Sequence, residues 1–414
     1  MRAKPARTPT AAAAVRRRRL ASGWALVAVL SWLWTDRAQL WACVPAGCFG
    51  AVGVGLLVLA PREAALDTLG WIWPPALLAL VVWMTGRVRH QLSRRMRAWC
   101  MYPLLGLYGL CAVGGGYETL RKSMDRRTYR VPGPLVDVGG HRLYLSCTGS
   151  GSPTVLLESG LGETSAYWAW IAPAVARKTQ VCVYDRAGRG WSEAAPGPQD
   201  GVGVATDLHT LLDRADVRGP LVLVGHSSGA QYVRIFAGRY PEQVAGMVLL
   251  DAQPATAMTR LPAYPAFYRT FRRVSAVLPS LARVGVGRVI ARAGASGLPP
   301  QARDVQRASH SSAQFYRSLR DEFAQPPVAL AQADAVRTLG ERPLIIVTAV
   351  RDAQPGWLPL QDELMRLSTN SVHRTLPSAT HASLIEDAQD ARASSQAIRD
   401  VVESVRHGRA LTRQ

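Results

Sequence analysis

LVLVGHSSGAQYV, Leu221–Val233, passes from four apolar residues through Gly-His-Ser-Ser-Gly into a helical pattern. Gly225–Gly229 fits G-x-S-x-G, and a strand before it with a helix after it is the context this motif requires. The flanking glycines let neighbouring backbones approach closely. The middle residue, Ser227, is expected in a strained turn with its hydroxyl exposed. Ser228 lies one step later, so its backbone N–H, not its hydroxyl, faces a developing oxyanion.

Working outward, short apolar runs recur on both sides. LVDVGGHRLYLSC alternates around Gly139–Gly140, a hairpin signal. Pro153–Ser159, Thr179–Asp185, Pro220–His226, Val244–Ala252, Arg342–Val350 and Ser371–Leu376 are further strand-like runs, most of them continuously apolar, as parallel strands buried on both faces are. Helical patterns lie between them at Thr164–Lys178, Val202–Ala215, Ser228–Arg239, Leu358–Ser368 and Ala382–Arg406. The alternation predicts an α/β fold, a mostly parallel sheet with helices on both faces. Residues 253–339 interrupt it with helix-like, proline-punctuated sequence, the pattern of a helical cap over a pocket.

A nucleophilic serine needs a base, and the base an orienting acid, here in the order Ser, Asp/Glu, His. His381, in the loop LPSATHASLIED just before a helix, is the histidine with both the order and the loop setting of a base. His226 adjoins the nucleophile but points away from it and reads as structural. Asp352 ends a strand 29 residues before His381, and Asp251 ends the preceding one. Both obey the order; Asp352 is favoured because its strand adjoins the one feeding His381. The glycine-rich turn Gly160-Leu161-Gly162 supplies a second oxyanion donor, Leu161 first and Gly160 next. Gly188-x-Gly190 lacks the third glycine and the lysine of a phosphate loop, so Asp185 and Arg186 beside it are assigned to structural hydrogen bonds. No CxxC or HExxH spacing points to a metal, and no cofactor is implied.

The N-terminal third differs in composition. Residues 1–130 hold 19 Lys and Arg against 5 Asp and Glu, whereas the other 284 hold 30 against 24. The basic clusters punctuate the apolar segments Leu20–Trp34, Leu40–Ala60, Leu69–Gly86 and Ala98–Tyr117, a pattern of membrane orientation and not of nucleic-acid binding. The chain is therefore divided into a basic tail with three to four transmembrane helices (1–117), a charged linker (118–133) and a catalytic domain (134–414). Positive-inside counts are equal whether or not the first segment, which could instead be a signal-peptide core, spans. The tight loop Arg87–Arg97 favours the three-span alternative, which puts the catalytic domain outside the cytoplasm. Nothing in the sequence bears on oligomeric state.

DVGGHRLYLSCTGSG, VLLESGLG, VYDRAGRGWS, LVLVGHSSGA and YPEQVAGMVLLDA together resemble the α/β-hydrolase superfamily, and more specifically its membrane-tethered bacterial serine hydrolases. The resemblance implies an eight-stranded α/β-hydrolase sheet, Ser227 as nucleophile, His381 as base, Asp352 as acid, and the Leu161 and Ser228 amides for the oxyanion. Two positions depart from the family pattern: Ser159-Gly160 replaces the usual His-Gly, and Ala230 replaces the usual glycine after the elbow. The family strand order implies that Cys147 and Cys182 lie on adjacent antiparallel strands, close enough to be bridged in an exported domain. The expected activity is hydrolysis of a small-molecule or lipid ester at a bilayer. Acyl transfer by the same triad and a catalytically dead binding domain are the alternatives.

Overall fold

A computed structural model describes residues 24–25, 40–59, 63–91, 96–294 and 297–412. The chain forms two compact units, Met1–Asp125 with Ser280–Val286, and Arg126–Pro279 with Gly287–Gln414.

The described helices of the first unit are α1 (Cys43–Leu59), α2 (Glu63–Leu69), α3 (Trp73–Gln91) and most of α4 (Met96–Thr128). Helix α4 runs through residues expected to form a linker, so the charged segment begins as helix. Met84, Val88 and Leu105 are buried among these helices, while Val58, Val82, Leu110 and Val113 are each more than 60% exposed. Three to four spanning helices are expected from the sequence. Among the described residues one helical stretch, Ala65–His90, is long and apolar enough to cross a membrane, with mean hydropathy 1.5. Most of Leu20–Trp34 lies outside the described residues.

The second unit is built on eight strands: β1 (Leu135–Asp137), β2 (Arg142–Thr148), β3 (Thr154–Glu158), β4 (Val181–Tyr184), β5 (Leu221–His226), β6 (Val244–Leu250), β7 (Leu344–Ala349) and β8 (Ser371–Leu376). They lie in the order β1-β2-β4-β3-β5-β6-β7-β8. Strand β2 pairs antiparallel with β1 and β4, and every other pairing is parallel. Every residue of β3, β5 and β7 is buried, which is why these strands carry apolar residues at successive positions and do not alternate.

Helices α5 (Ile171–Ala176), α6 (Gly201–Arg214), α7 (Gly229–Arg239), α15 (Trp357–Glu363), α16 (Ser383–Glu386) and α17 (Asp390–His407) flank the sheet. Leu208, Leu211, Val233 and Phe236 pack on one face, and Ile171, Val175, Ile398 and Val401 on the other. Each such side chain contributes about 1.5–3 kcal/mol on full burial. Asp200 caps α6, its carboxylate accepting the Gly203 N–H at 2.8 Å.

The interruption between β6 and β7 carries the cap helices α8 (Ala257–Arg260), α9 (Tyr264–Ser275), α10 (Leu278–Ala282), α11 (Val286–Ala293), α12 (Pro300–Ser311), α13 (Ala313–Glu322) and α14 (Pro326–Asp334). Cys147 and Cys182 face each other in register across β2 and β4, with Cα atoms 4.0 Å apart, and are joined by a disulfide.

Candidate active site

The carboxyl ends of β3, β5, β6 and β7 converge, and each delivers a polar group. Ser227 occupies the turn between β5 and α7 at φ +53°, in the left-handed region where non-glycine residues are uncommon. The turn is held by the Ser227 N–H on Leu250 O (3.0 Å) and by Ser227 O accepting the Gln253 N–H (3.0 Å). Both motif glycines are required by close approach. A Cβ on Gly225 would lie 2.7 Å from the Ala230 backbone, and one on Gly229 would lie 2.5 Å from Glu158 O.

Asp251, one residue past β6, is also left-handed, at φ +42°. Its carboxylate is 5% exposed; Oδ2 lies 2.5 Å from His381 Nδ1 and Oδ1 accepts the Trp357 Nε1–H at 2.8 Å. The carboxylate on the imidazole is therefore that of Asp251, the alternative acid, and not that of Asp352. Asp352 instead accepts the His381 backbone N–H at 3.0 and 3.2 Å. The reason is geometric. Strand β6 adjoins β5, whereas β7 is one strand further from the elbow, and the His381 ring meets Asp251 at the end of β6 while its backbone N–H meets Asp352 after β7.

Among the described residues, neither the Leu161 N–H nor the Ser228 N–H donates a hydrogen bond, whereas the Gly160 N–H donates to Glu163 Oε2 at 2.5 Å. The Leu161 and Ser228 N–H groups thus stay available as donors, and that of Gly160 does not. The Ser228 hydroxyl is buried without a partner, in keeping with a residue whose contribution is its backbone.

Behind the Gly160 turn lies a buried charge network. Arg186 donates to Glu158, to Ser159 O (2.5 Å), to Gly160 O (2.8 Å) and to Glu322 Oε1 (2.7 Å) on α13, and Arg189 also donates to Glu322. Burial drives the Glu322 carboxyl upward, but the two guanidinium groups outweigh it and hold the pKa below the usual value. Burial dominates at Glu158 and raises its pKa despite Arg186. Asp185 accepts the Ser165 and Trp191 N–H groups (2.7 and 2.9 Å), the structural role expected of it. At the departure from the family pattern, Ser159 Oγ accepts the Trp168 Nε1–H at 2.9 Å. His310 on α12 stacks on Phe315 and Tyr167, and burial followed by Arg189 pulls its pKa down to about 3, so it stays neutral.

Two further side chains carry no recognisable motif. Glu163 Oε1 lies 2.7 Å from His226 Nδ1, and His226 Nε2 lies 3.1 Å from His381 O. The His226 and His381 rings are 4.7 Å apart. The pairing of Glu163 with His226 has no fixed spacing that sequence reasoning could have used.

A family model described as alpha/beta hydrolase fold matches residues 153–292. An uncharacterized protein of Schizosaccharomyces pombe is 35% identical over 152 residues, 29% of this chain and 28% of that one. An uncharacterized vacuolar membrane protein of Saccharomyces cerevisiae is 31% identical over 104 residues, 24% of this chain and 16% of that one. The chain spans 20–41% of the length of the first curated relatives it matches. Among solved structures, that of DBJA superposes with TM-score 0.55 at 18% identity, covering 68% of this chain and 99% of its own, a likeness of fold.

Proposed function

The chain belongs to the α/β-hydrolase superfamily, and from that premise we propose that it is a membrane-anchored serine hydrolase that cleaves esters through an acyl-enzyme. The observation that carries this reading is the buried Asp251 carboxylate on His381 Nδ1, with the His381 ring 4.7 Å from that of His226, which adjoins Ser227 in its strained strand-to-helix turn.

In this reading Ser227 Oγ attacks the ester carbonyl carbon and its proton passes to His381 Nε2. Asp251 holds the opposite Nδ1–H and stabilises the imidazolium that forms. The carbonyl oxygen becomes an oxyanion and accepts the Leu161 and Ser228 N–H groups. The alkoxide departs with the proton on His381. Water, deprotonated by the same imidazole, then attacks the acyl carbon and restores the Ser227 hydroxyl. Asp352 positions the base through its backbone.

Anchoring rests on the apolar helix Ala65–His90 and on the outward-facing Val58, Val82, Leu110 and Val113, which in water would form an unusual exposed apolar surface. The Cys147–Cys182 bridge fits an oxidising compartment, hence a catalytic domain outside the cytoplasm. A hydrophobic or lipid ester is the substrate class such an anchor would reach.

The test is fluorophosphonate labelling and p-nitrophenyl ester turnover by the full chain. Wild type should label at Ser227, and Ser227→Ala should lose labelling and up to ~10⁶ in turnover. A wild-type chain that fails to label, or a Ser227→Ala chain that still turns over, overturns the assignment. Adding an alcohol acceptor and analysing products separates hydrolysis from acyl transfer.

A further inference from the structure

His226 touches three segments that the proposed reaction needs in register. It is fully buried and sits on the nucleophile elbow itself. Its Nδ1 meets Glu163, which lies in the oxyanion turn, and its Nε2 meets the backbone carbonyl of His381. We infer that Glu163 and His226 form a second carboxylate–imidazole pair, whose work is to position the oxyanion turn and the base loop on the nucleophile elbow. The inference rests on the reading of Ser227 and His381 given above.

Proton counting supports a built arrangement. A carbonyl oxygen only accepts, so His226 Nε2 carries hydrogen. One further proton lies between Nδ1 and Glu163 Oε1, and the pair is neutral overall wherever that proton resides. Burial penalises charge on both groups. It is outweighed at Glu163 by the His226 ring and the Gly160 N–H, which leave the carboxyl below its ordinary value. At His226, Glu163 first and then the His381 carbonyl outweigh burial and raise the imidazole pKa. Both directions describe a carboxylate–imidazolium pair.

The oxyanion turn is closed from two sides. Glu163 donates its N–H to Gly160 O at 3.3 Å, and its carboxylate takes the Gly160 N–H. Gly160 O is also held by Arg186. The peptide plane is rigid and trans, so fixing the Gly160 carbonyl fixes the Leu161 N–H, which points the opposite way on the same plane. A Cβ on Gly160 would lie 2.8 Å from the Glu163 carboxylate, so the clamp needs glycine there. On the other side, His226 holds the His381 carbonyl while Asp352 holds the His381 N–H. The base is thus gripped at both backbone ends and at Nδ1. Glu163 and His226 need not touch substrate; they act through Leu161 and His381.

The experiment measures kcat, KM and the fluorophosphonate labelling rate of the full chain with p-nitrophenyl butyrate, alongside thermal melting. Losing one aligned oxyanion donor costs about 10²–10³ in kcat, and Glu163→Ala and His226→Phe should each fall by that factor with KM within about threefold. Glu163→Gln should return to within about tenfold of wild type, because its amide still accepts the Gly160 N–H and donates to the neutral His226 Nδ1. If a folded Glu163→Ala keeps kcat and labelling rate within about threefold of wild type, or if Glu163→Gln falls as far as Glu163→Ala, the inference is overturned. Should Glu163→Ala not fold, Glu163→Asp decides: its shorter carboxylate cannot reach both Gly160 and His226, so a loss of kcat supports the inference and full activity sinks it. Failure of wild type to label instead removes the Ser227 reading on which all of this depends.

Discussion

His381 Nδ1 and Asp251 Oδ2 lie 2.5 Å apart, while the carboxylate of Asp352 reaches only the His381 backbone N–H. The two aspartates therefore separate in kinetics. Asp251→Asn keeps the shape but loses the charge and tautomer control, and kcat should fall by about 10³–10⁴. Asp352→Ala removes one hydrogen bond at an exposed position, worth about a tenfold loss at most. Steady-state ester turnover of the two variants checks the order. Equal losses, or a larger one at Asp352, would return the acid to β7.

Most of the fold and much of the candidate site was legible in the sequence. Continuous apolar runs marked the buried strands, and G-x-S-x-G with its strand–helix context marked Ser227. The order Ser, Asp, His with a loop setting marked His381. For the acid the sequence favoured Asp352, and the structure puts Asp251 on the imidazole; both end strands before His381, and the choice depends on which strand lies beside β5 in space. Glu163 and His226 were hidden for the same reason: their pairing joins residues 63 positions apart, with no period or motif between them. The apolar, basic character of the N-terminal third was legible as composition; among the described residues one helical stretch, Ala65–His90, meets both length and hydropathy.

The Glu163–His226 pair should make stability depend on pH in a bounded window. Glu163 is held below its ordinary value of 4.5, so its contribution is complete above about pH 4.5 and is lost as pH falls through the depressed pKa. His226 is raised above 6.5, so its contribution is complete below about pH 6.5 and is lost as pH rises through the raised pKa. The melting temperature of wild type should exceed that of Glu163→Gln by about 2–6 °C between those limits, with the gap shrinking on either side. A gap independent of pH would show that the pair is not ionised.

The bridge between Cys147 and Cys182 closes a loop with a sequence separation of 35 residues. Constraining the unfolded chain to that extent contributes about 3–4 kcal/mol in the loop-entropy picture. A Cys147→Ser, Cys182→Ser chain should unfold at correspondingly lower urea with an otherwise unchanged active site. In the native sequence both thiols should resist alkylation after denaturation until a reductant is added. Alkylation of both without reductant would remove the bridge, and with it the argument for export.

Glu322 ties helix α13 to the core by charge. It is shared by the buried Arg186 and Arg189, which are 7% and 1% exposed. Arg189 already leaves Nε and Nη1 without partners and rests its guanidinium over Phe315, 5.0 Å from the ring centroid. Glu322→Ala would leave the buried Arg189 without a counter-charge, at a cost of about 3–5 kcal/mol, while Arg186 keeps Glu158. Arg186 also holds Ser159 O and Gly160 O, so the loss should reach the oxyanion turn and not remain in α13. Glu322→Gln, which keeps two hydrogen-bonding atoms but no charge, should fall between the two. Hydrogen exchange should report faster opening of both α13 and the Gly160–Glu163 turn in Glu322→Ala, with kcat falling in step. Faster exchange confined to α13, with kcat unchanged, would show that cap and oxyanion turn are held independently.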